Sequence, residues 1–271
     1  MMAPLKICIF TETYFPVVGG GETQARLLAE GLVRNGFSVI ILTRRSDTAL
    51  PKTEQFGEVT VYRLPPVGRG QLKKWGLLIS SIPALINLRP HYDLVFVSGF
   101  RIVGVAAVLI SKLFGKACVL KADSQGEMSG EFFRGGLARV GVTPGWWPFR
   151  LFLGVRNLIL NRANAFTAIT TDIAAELRET GVPPAAIRMI PNRVDTTLFC
   201  PVNAQRKRDL RGKLGLPPEG QIAVYTGRLV SYKGLPLLLR VWQTIRRRHP
   251  AAYLVLVGTG GLDIHNCEAE L

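Results

Sequence analysis

The sequence predicts an α/β fold: a doubly wound parallel-sheet domain followed by the first β-α-β unit of a second, incomplete doubly wound domain. Three observations lead to this prediction. Short β-branched runs alternate with segments of helical periodicity along most of the chain. Most of these runs are apolar throughout, as in strands that helices cover on both faces. Finally, 271 residues that are 48% hydrophobic are enough to bury a large core.

The elements of the first domain follow from these patterns in chain order. The apolar runs predict strands at residues 5–10, 38–43, 59–64, 93–99, 117–122, 165–170 and 187–191. The segments between them predict helices at residues 22–35, 72–87, 102–114, 148–161 and 172–179. Gly36 is expected to close the first helix and Asp172 to cap the last, because glycine favours helix ends and aspartate favours helix starts.

A change in composition marks the boundary between the two predicted domains. Residues 202–220 are polar and basic and contain two prolines, so they are interpreted as the connection between domains 1–201 and 221–271. The second domain shows the strand "QIAVYTG", a helix and the strand "AYLVLVG". A doubly wound domain has about six strands. We therefore expect the second domain to be truncated and the chain to be an inactive fragment by itself.

The stretch "YTGRLVSYKG" places two cations between a predicted strand and a predicted helix. Gly227 ends the strand, and Arg228 and Lys233 precede the helix that starts near Gly234. In a doubly wound sheet, ligands bind outside the carboxyl ends of the strands, where helix N-termini present free N–H groups. The two cations are either an anion site or ordinary surface charges, and their spacing alone does not choose between these interpretations.

Three motifs in this chain resemble family 4 (group 1) glycosyltransferases, which retain anomeric configuration and have the GT-B type fold. The stretch "YTGRLVSYKGLPLLLRVW", with "LVLVGTGG" after it, resembles the start of that family's second domain. The stretch "GGGETQARLLAEGLVRNGFSVIILT" is similar to the family's first glycine loop, and "IPNRVDTTLFCP" to the end of its first domain. Together the motifs cover nearly the whole chain.

The resemblance implies an activity and a set of site residues. In the family, a sugar moves from a nucleotide-sugar donor to a hydroxyl group of an acceptor. For this chain the acceptor is expected to be a cell-envelope glycan or a lipid-linked molecule. The resemblance implies that Arg228 and Lys233 contact the donor diphosphate. Gly20 and Gly21 are expected beside the donor phosphate or the acceptor, although a flexible loop is the alternative.

Asp123 is the candidate catalytic residue, and it departs from the family's pattern. Many members carry a histidine near this position that contacts the donor sugar, whereas this chain has Asp123 and Ser124. The carboxylate of Asp123 is interpreted either as a hydrogen-bond acceptor for a sugar or acceptor hydroxyl, or as a cap of the next segment.

No metal or resident cofactor is expected, because the chain contains no DxD pair that would hold a divalent cation on a diphosphate. The leaving-group charge would then be met by Arg228, Lys233 and a helix N-terminus. No second group of potential ligands accompanies the short cluster of His265, Cys267 and Glu268, so this cluster is not interpreted as a metal site.

The formal charge of +15 predicts anionic partners. Basic residues accompany tryptophan in residues 68–90 and 143–162, where the cations are expected to contact an anionic membrane and the aliphatic faces to pack on the sheet. The four cysteines are far apart, and Cys8 and Cys118 are expected to pack as small hydrophobes in a cytoplasmic protein. We therefore expect a cytoplasmic protein, peripheral on the inner face of the membrane.

Two other functions fit parts of the sequence. An NADP-binding oxidoreductase would use Arg44 and Arg45 for the 2′-phosphate, but neither glycine stretch completes GxGxxG. A nucleic-acid-binding module would use "RKRDLRGK" and "RRRH", but no recognition motif accompanies this charge, so no nucleic-acid partner is expected.

Overall fold

The computed structural model describes residues 4–68, 70–133 and 146–260. Contacts divide the chain into two units, Met1–Val194 (unit 1) and Asp195–Leu271 (unit 2). The division lies earlier in the chain than the boundary predicted at residue 201, and that domain assignment stays a prediction.

Unit 1 is built around a mixed sheet whose strands run parallel except at one edge. In the described part of the chain its strands are β1 (Lys6–Thr11), β2 (Ser38–Arg44), β3 (Thr53–Phe56), β4 (Val59–Leu64), β5 (Leu94–Ser98), β6 (Ala117–Ala122), β7 (Ala165–Ala168) and β8 (Ile187–Met189). Their order in the sheet is β3-β4-β2-β1-β5-β6-β7-β8, and only β3 is antiparallel to its neighbour. The α/β prediction is therefore confirmed.

Helices cover both faces of this sheet. They are α1 (Gly20–Arg34), α2 (Gln71–Asn87), α3 (Val103–Leu113), α4 (Trp147–Leu160) and α5 (Thr171–Glu179). One core lies on the face that α1 covers, and the other lies under α2, α3, α4 and α5. The apolar residues of the central strands point alternately into the two cores. Both faces are thus buried, which is why these strands are apolar throughout.

Two local predictions can be compared with the structure at helix ends. The first helix ends as expected, because Gly36 adopts a φ of +81°, which favours glycine. The cap predicted for the last helix of unit 1 is wrong. The hydroxyl of Thr170 accepts the N–H of Ile173 at 3.3 Å, and Asp172 lies inside the first turn of α5.

The sequence analysis missed β3, whose residues "TEQF" are mostly polar. This strand pairs only with β4, at the edge of the sheet, so it does not need the apolar character of the central strands. The two cysteines of the central strands, Cys8 and Cys118, are fully buried as predicted. Burial also raises the pKa of both thiols, to about 12 for Cys118.

Unit 2 contains a helix in the predicted connection and then the predicted β-α-β unit. Its elements are α6 (Ala204–Lys213), β9 (Gln221–Thr226), α7 (Leu235–Arg248) and β10 (Ala252–Val257). Strands β9 and β10 are parallel. In the described part of this unit, the buried side chains are Leu235, Leu239 and Ala252, and Val224 and Val257 of the strands are more than half exposed.

Among the described helices, none is long and apolar enough to cross a membrane.

Candidate functional site

The carboxyl ends of β1, β5 and β6 lie side by side in unit 1, and a charged residue follows each strand within three positions. Glu12 follows β1, Arg101 follows β5 and Asp123 follows β6. Since ligands of open α/β sheets bind at this edge, these loops are where a site of unit 1 is expected.

The carboxylate of Asp123 is held by its neighbours on two strands. The hydroxyl of Ser98 donates to one of its oxygens at 2.7 Å, and the ammonium group of Lys121 forms an ion pair with the other. Its side chain is 21% exposed, so one edge of the carboxylate remains accessible. The structure does not show this carboxylate capping the next segment; the backbone N–H groups of that loop donate to another residue.

That residue is Glu127, which is fully buried. One carboxylate oxygen accepts the backbone N–H groups of Asp123 and Ser124 at 3.0 and 3.3 Å, and the other accepts that of Phe100 at 3.0 Å. The guanidinium of Arg101 lies 3.3 Å away. Burial outweighs these interactions and raises the pKa of Glu127 to about 7. Glu127 therefore connects the loops that follow β5 and β6.

A second buried carboxylate fixes the rest of the same loop. Glu176 on α5 accepts the backbone N–H groups of Gly126, Met128 and Ser129 at 2.7, 3.0 and 2.9 Å. Three such donors around one carboxylate hold the loop in one conformation. Glu176 thus fixes the backbone of the loop that follows Asp123.

The glycine loop leads directly into α1. Gly20 and Gly21 are the first residues of the helix, and a Cβ built on either meets no described atom within 4 Å. Neither has a positive φ. Nothing in the described packing therefore requires glycine at these positions, which leaves room for an external group to approach the backbone. Glu22 in the first turn accepts the hydroxyl of Thr13.

A cavity of about 350 Å³ lies beneath α1, and its lining includes Ser98 and Lys121, the two residues that bind the carboxylate of Asp123. Ser98, Lys121 and Thr167 lie in register on adjacent strands and form its polar floor. Gln24 and Arg193 close one end by exchanging two hydrogen bonds of 2.8 Å. The motif "IPNRVD" is thus tied to the first turns of α1.

The arginines that an NADP site would need have other partners. Arg44 is 4% exposed, pairs with Glu12 at 3.5 Å and donates to the carbonyl of Gly68. Arg45 donates to the carbonyls of Thr48 and Leu50 at 2.6 and 2.5 Å. Both guanidinium groups stabilise the loop after β2, so the structure does not favour a 2′-phosphate site there.

In unit 2, Arg228 and Lys233 lie in the segment between β9 and α7, and both are exposed. The hydroxyl of Tyr225 donates to the carbonyl of Arg228 at 3.1 Å, which fixes the backbone at the first cation. Lys233 ends a short 3₁₀ turn, and Gly234 follows with a φ of +77° and begins α7. Both cations therefore lie in the short segment that leads into the N-terminus of a helix.

Glycines in unit 2 are required by the backbone itself. Gly227 has a φ of +150° and Gly258 a φ of +158°. A Cβ on Gly258 would overlap the carbonyl oxygen of Gly227, because the loops after β9 and β10 pass against each other. The N–H of Leu229 donates to the carbonyl of Thr259 at 3.0 Å, which continues this pairing. The glycines thus set the path of the loop that carries Arg228.

Metal ligands are not assembled in the described ranges, where no group of three or more His, Cys, Asp or Glu side chains could hold an ion. The cluster of His265, Cys267 and Glu268 lies outside the described residues.

Two α/β units, each with charged residues beyond the carboxyl ends of parallel strands, define a protein built from two open α/β domains. The family described as "Glycosyl transferase 4-like domain" matches residues 19–193, and "Glycosyl transferases group 1" matches residues 206–269. The chain belongs to this glycosyltransferase family.

Curated relatives show the same relationship over nearly the whole chain. A glycosyltransferase of Methanocaldococcus jannaschii is 25% identical over 95% of this chain and 64% of its own length. The D-inositol 3-phosphate glycosyltransferase of Nocardiopsis dassonvillei is 25% identical over 90% of this chain and 57% of its own length. The chain therefore spans about three fifths of the length of these relatives.

Solved structures show the fold. Sucrose-phosphate synthase from Thermosynechococcus elongatus is 22% identical, with a TM-score of 0.71 over 98% of this chain and 65% of that structure. Anabaena HepE, solved with UDP and glucose, is 17% identical, with a TM-score of 0.63 over 98% of this chain and 64% of that structure. The GT-B type fold is thus confirmed.

The sequence analysis did not single out Glu127, Glu176 or Arg101. Each has at least one hydrogen-bond partner that is distant in sequence: Glu127 binds the N–H of Phe100, and Glu176 lies about 50 residues from its loop. One sequence signal was available for two of them. Arg101 and Glu127 come soon after apolar strands, and residues in such positions lie at the carboxyl edge of the sheet.

Proposed function

We propose that this chain supplies donor- and acceptor-binding elements of a retaining glycosyltransferase that moves a sugar from a nucleotide sugar to an acceptor hydroxyl. The observation that carries the proposal is the placement of Arg228 and Lys233 around the N-terminus of α7, just past the carboxyl end of β9. In this proposal the two cations bind the donor diphosphate.

The chemistry of sugar departure accounts for this arrangement. As the bond between the anomeric carbon and the diphosphate breaks, negative charge grows on the phosphate oxygens. Two cations and the free N–H groups of a helix N-terminus stabilise that charge without a metal ion. Gly234, with its left-handed backbone, ends the 3₁₀ turn and begins α7.

Unit 1 is proposed to contact the donor and the acceptor between which the sugar moves. Gly20 and Gly21 allow a donor phosphate or an acceptor hydroxyl to approach the first turn of α1. Asp123 accepts a hydrogen bond from a hydroxyl of the sugar or the acceptor, with its carboxylate oriented by Ser98 and Lys121. Retention is proposed from the family resemblance.

The names of similar proteins support this assignment. HepE structures contain UDP or UDP-glucose. Curated relatives include D-inositol 3-phosphate glycosyltransferases and, at 22% identity, a phosphatidylinositol N-acetylglucosaminyltransferase component of Arabidopsis thaliana. We propose a glycan or lipid-linked acceptor for this chain, at the cytoplasmic face of a membrane.

Donor binding tests the proposal directly, because the chain spans about three fifths of its relatives' length and binding does not depend on turnover. Isothermal titration with UDP, GDP and ADP, each beside its monophosphate, should show tighter binding of at least one diphosphate. Arg228→Ala should weaken that binding by roughly 10- to 100-fold, since a charge-assisted hydrogen bond contributes about 1.5–3 kcal/mol.

Arg240→Ala is the matched control, because Arg240 is an exposed arginine further along α7. It should change diphosphate affinity less than twofold. Equal effects of the two substitutions, or equal affinity for monophosphates and diphosphates, would contradict the diphosphate assignment.

A further inference from the structure

Helices α2, α3 and α4 each carry two apolar stripes. The inner stripe packs on the sheet, as the sequence predicts, and includes Leu77, Ala107 and Leu160. The expectation that the aliphatic faces of residues 68–90 and 143–162 pack on the sheet is wrong for part of α2 and α4. The outer stripes consist of exposed side chains, and they are Trp75, Ile79, Ile82, Leu109, Leu113, Trp147, Leu151, Val155 and Leu158.

These outer stripes follow helical spacing and form one surface, which we call the outer helical face. Positions 75, 79 and 82 repeat along α2, and positions 147, 151, 155 and 158 repeat along α4. The rings of Trp75 and Phe152 pack together with centroids 5.9 Å apart, so α2 and α4 adjoin at this end. Side chains such as Ile79 and Trp147 are each 71% exposed. An apolar surface that spans several helices indicates an interaction site.

A groove of about 490 Å³ opens within the outer helical face. Trp75 and Leu78 form one wall, and Trp147, Leu151 and Phe152 form the other. The lining is apolar apart from Arg101 and Arg156, so the groove suits a hydrocarbon chain.

The charges on these helices select the kind of partner. Helices α2, α3 and α4 contain no acidic residue, whereas they carry Lys73, Lys74, Lys112, Arg150 and Arg156. Arg150 and Lys112 are exposed, whereas Arg156 is buried and Lys74 pairs with Glu12 at 3.3 Å, so the two exposed cations are the ones that can face a partner. A bilayer that contains anionic phospholipid fits this pattern, because its surface attracts cations and repels carboxylates over about 10 Å.

We propose that the outer helical face docks this protein on an anionic phospholipid bilayer. The tryptophans lie at the headgroup level, the aliphatic side chains enter the acyl region, and a lipid chain occupies the groove between α2 and α4. The proposal deepens the proposed function, since it gives a lipid-linked acceptor its position. Vesicle binding is measured without any sugar donor, so its failure is distinguishable from failure of the transferase assignment.

The test is co-sedimentation with vesicles of phosphatidylcholine alone and with about 30% phosphatidylglycerol, at low and high salt. The wild-type chain should bind the anionic vesicles and be released as salt rises. The paired substitution Arg150→Glu with Leu151→Ser removes one exposed leucine and reverses one exposed charge on α4. It should reduce partitioning by roughly tenfold or more, since a basic residue near the surface and an inserted leucine each strengthen binding several-fold.

The matched control is Arg240→Glu with Leu237→Ser on α7. Leu237 is 62% exposed and Leu151 is 60% exposed, and both arginines are exposed, so the two variants have the same net charge and a similar loss of apolar surface. The control should bind within twofold of wild type. Equal losses in both variants would show attraction by net charge alone and overturn the assignment to this face. Concentration-dependent dimerisation that the α4 variant abolishes, without vesicle binding by wild type, would also overturn it.

Tryptophan fluorescence provides a second readout. The chain has four tryptophans, of which Trp75, Trp146 and Trp147 lie at or beside the outer helical face and Trp242 lies on α7. Vesicles with brominated acyl chains should quench the wild-type emission, and Trp242→Phe should leave the quenched fraction as large or larger. If Trp147→Phe leaves the quenching unchanged while Trp242→Phe abolishes it, the bilayer contacts unit 2 and the proposal is wrong.

Discussion

Two buried carboxylates support the carboxyl edge of unit 1 from inside the protein, whereas the loop between β9 and α7 of unit 2 exposes its two cations to solvent. Glu127 and Glu176 are buried and accept backbone N–H groups from the loops around Asp123. Arg228 and Lys233 are exposed, and the path of their backbone is set by glycines with positive φ. The two loops therefore depend on different kinds of residue for their shape.

This difference separates stability from binding. In unit 1, removing a buried carboxylate leaves several backbone donors unsatisfied, so the loss appears in the free energy of unfolding. In unit 2, the cations are exposed, so the loss of one of them appears mainly in ligand affinity. The comparison would fail if substitution of a buried carboxylate in unit 1 left the free energy of unfolding unchanged, or if substitution of a cation in unit 2 changed stability and not ligand affinity.

The largest effect is expected for Glu176→Ala. Three backbone N–H groups, those of Gly126, Met128 and Ser129, lose their shared acceptor inside the protein. Since each buried unsatisfied donor costs about 1–3 kcal/mol, the free energy of unfolding should fall by roughly 3–5 kcal/mol. Urea denaturation followed by circular dichroism measures it. Glu179→Ala on the same helix is the control, because Glu179 is exposed, and it should change stability by less than about 0.5 kcal/mol.

The pH dependence of stability should report Glu127. Burial raises its pKa from 4.5 to about 7, so the folded protein binds a proton that the unfolded chain has lost between these values. The contribution of this carboxyl to stability is therefore greatest below about pH 4.5 and is lost as the pH rises through about 7, by about 3 kcal/mol in all.

Glu127→Gln should abolish this slope, because an amide does not titrate in this range. Urea denaturation of both proteins between pH 5 and 7.5 tests it, with Glu58→Gln, at an exposed position, as the control. A wild-type stability that rises across this window in parallel with that of Glu127→Gln would contradict the assignment.

Much of the fold was predictable because strand and helix periodicity is local in sequence, and Gly36 and the central strands show this directly. The support of Asp123 was not predictable, because Glu127 acts with Phe100 and Glu176 with residues 126–129, and only the sheet topology brings them together. The outer stripes of α2 and α4 illustrate another limit. Periodicity detects an apolar stripe on a helix, but it does not tell which of two stripes faces the core.

The smallest effect on stability is expected for Gly20→Ala. A Cβ at this position meets no described atom within 4 Å, and alanine favours helix over glycine by up to about 1 kcal/mol. Stability should be unchanged or slightly higher, while affinity for donor or acceptor falls if a ligand contacts this backbone. Gly19→Ala is a useful contrast, because its Cβ would displace the carboxylate of Glu22. A Gly20→Ala protein with unchanged ligand affinity would remove this loop from the proposed site.

The central claim is that the donor diphosphate binds at the N-terminus of α7, and hydrogen exchange with and without saturating UDP tests it most directly. Mass spectrometry of peptic fragments resolves the segment from Gly227 to Leu238 from the glycine loop and from the loop after β6 in unit 1. We expect UDP to slow exchange in the segment that contains Arg228 and Lys233, and Arg228→Ala to abolish that slowing. Slower exchange confined to unit 1, or the same slowing in Arg228→Ala, would contradict the account.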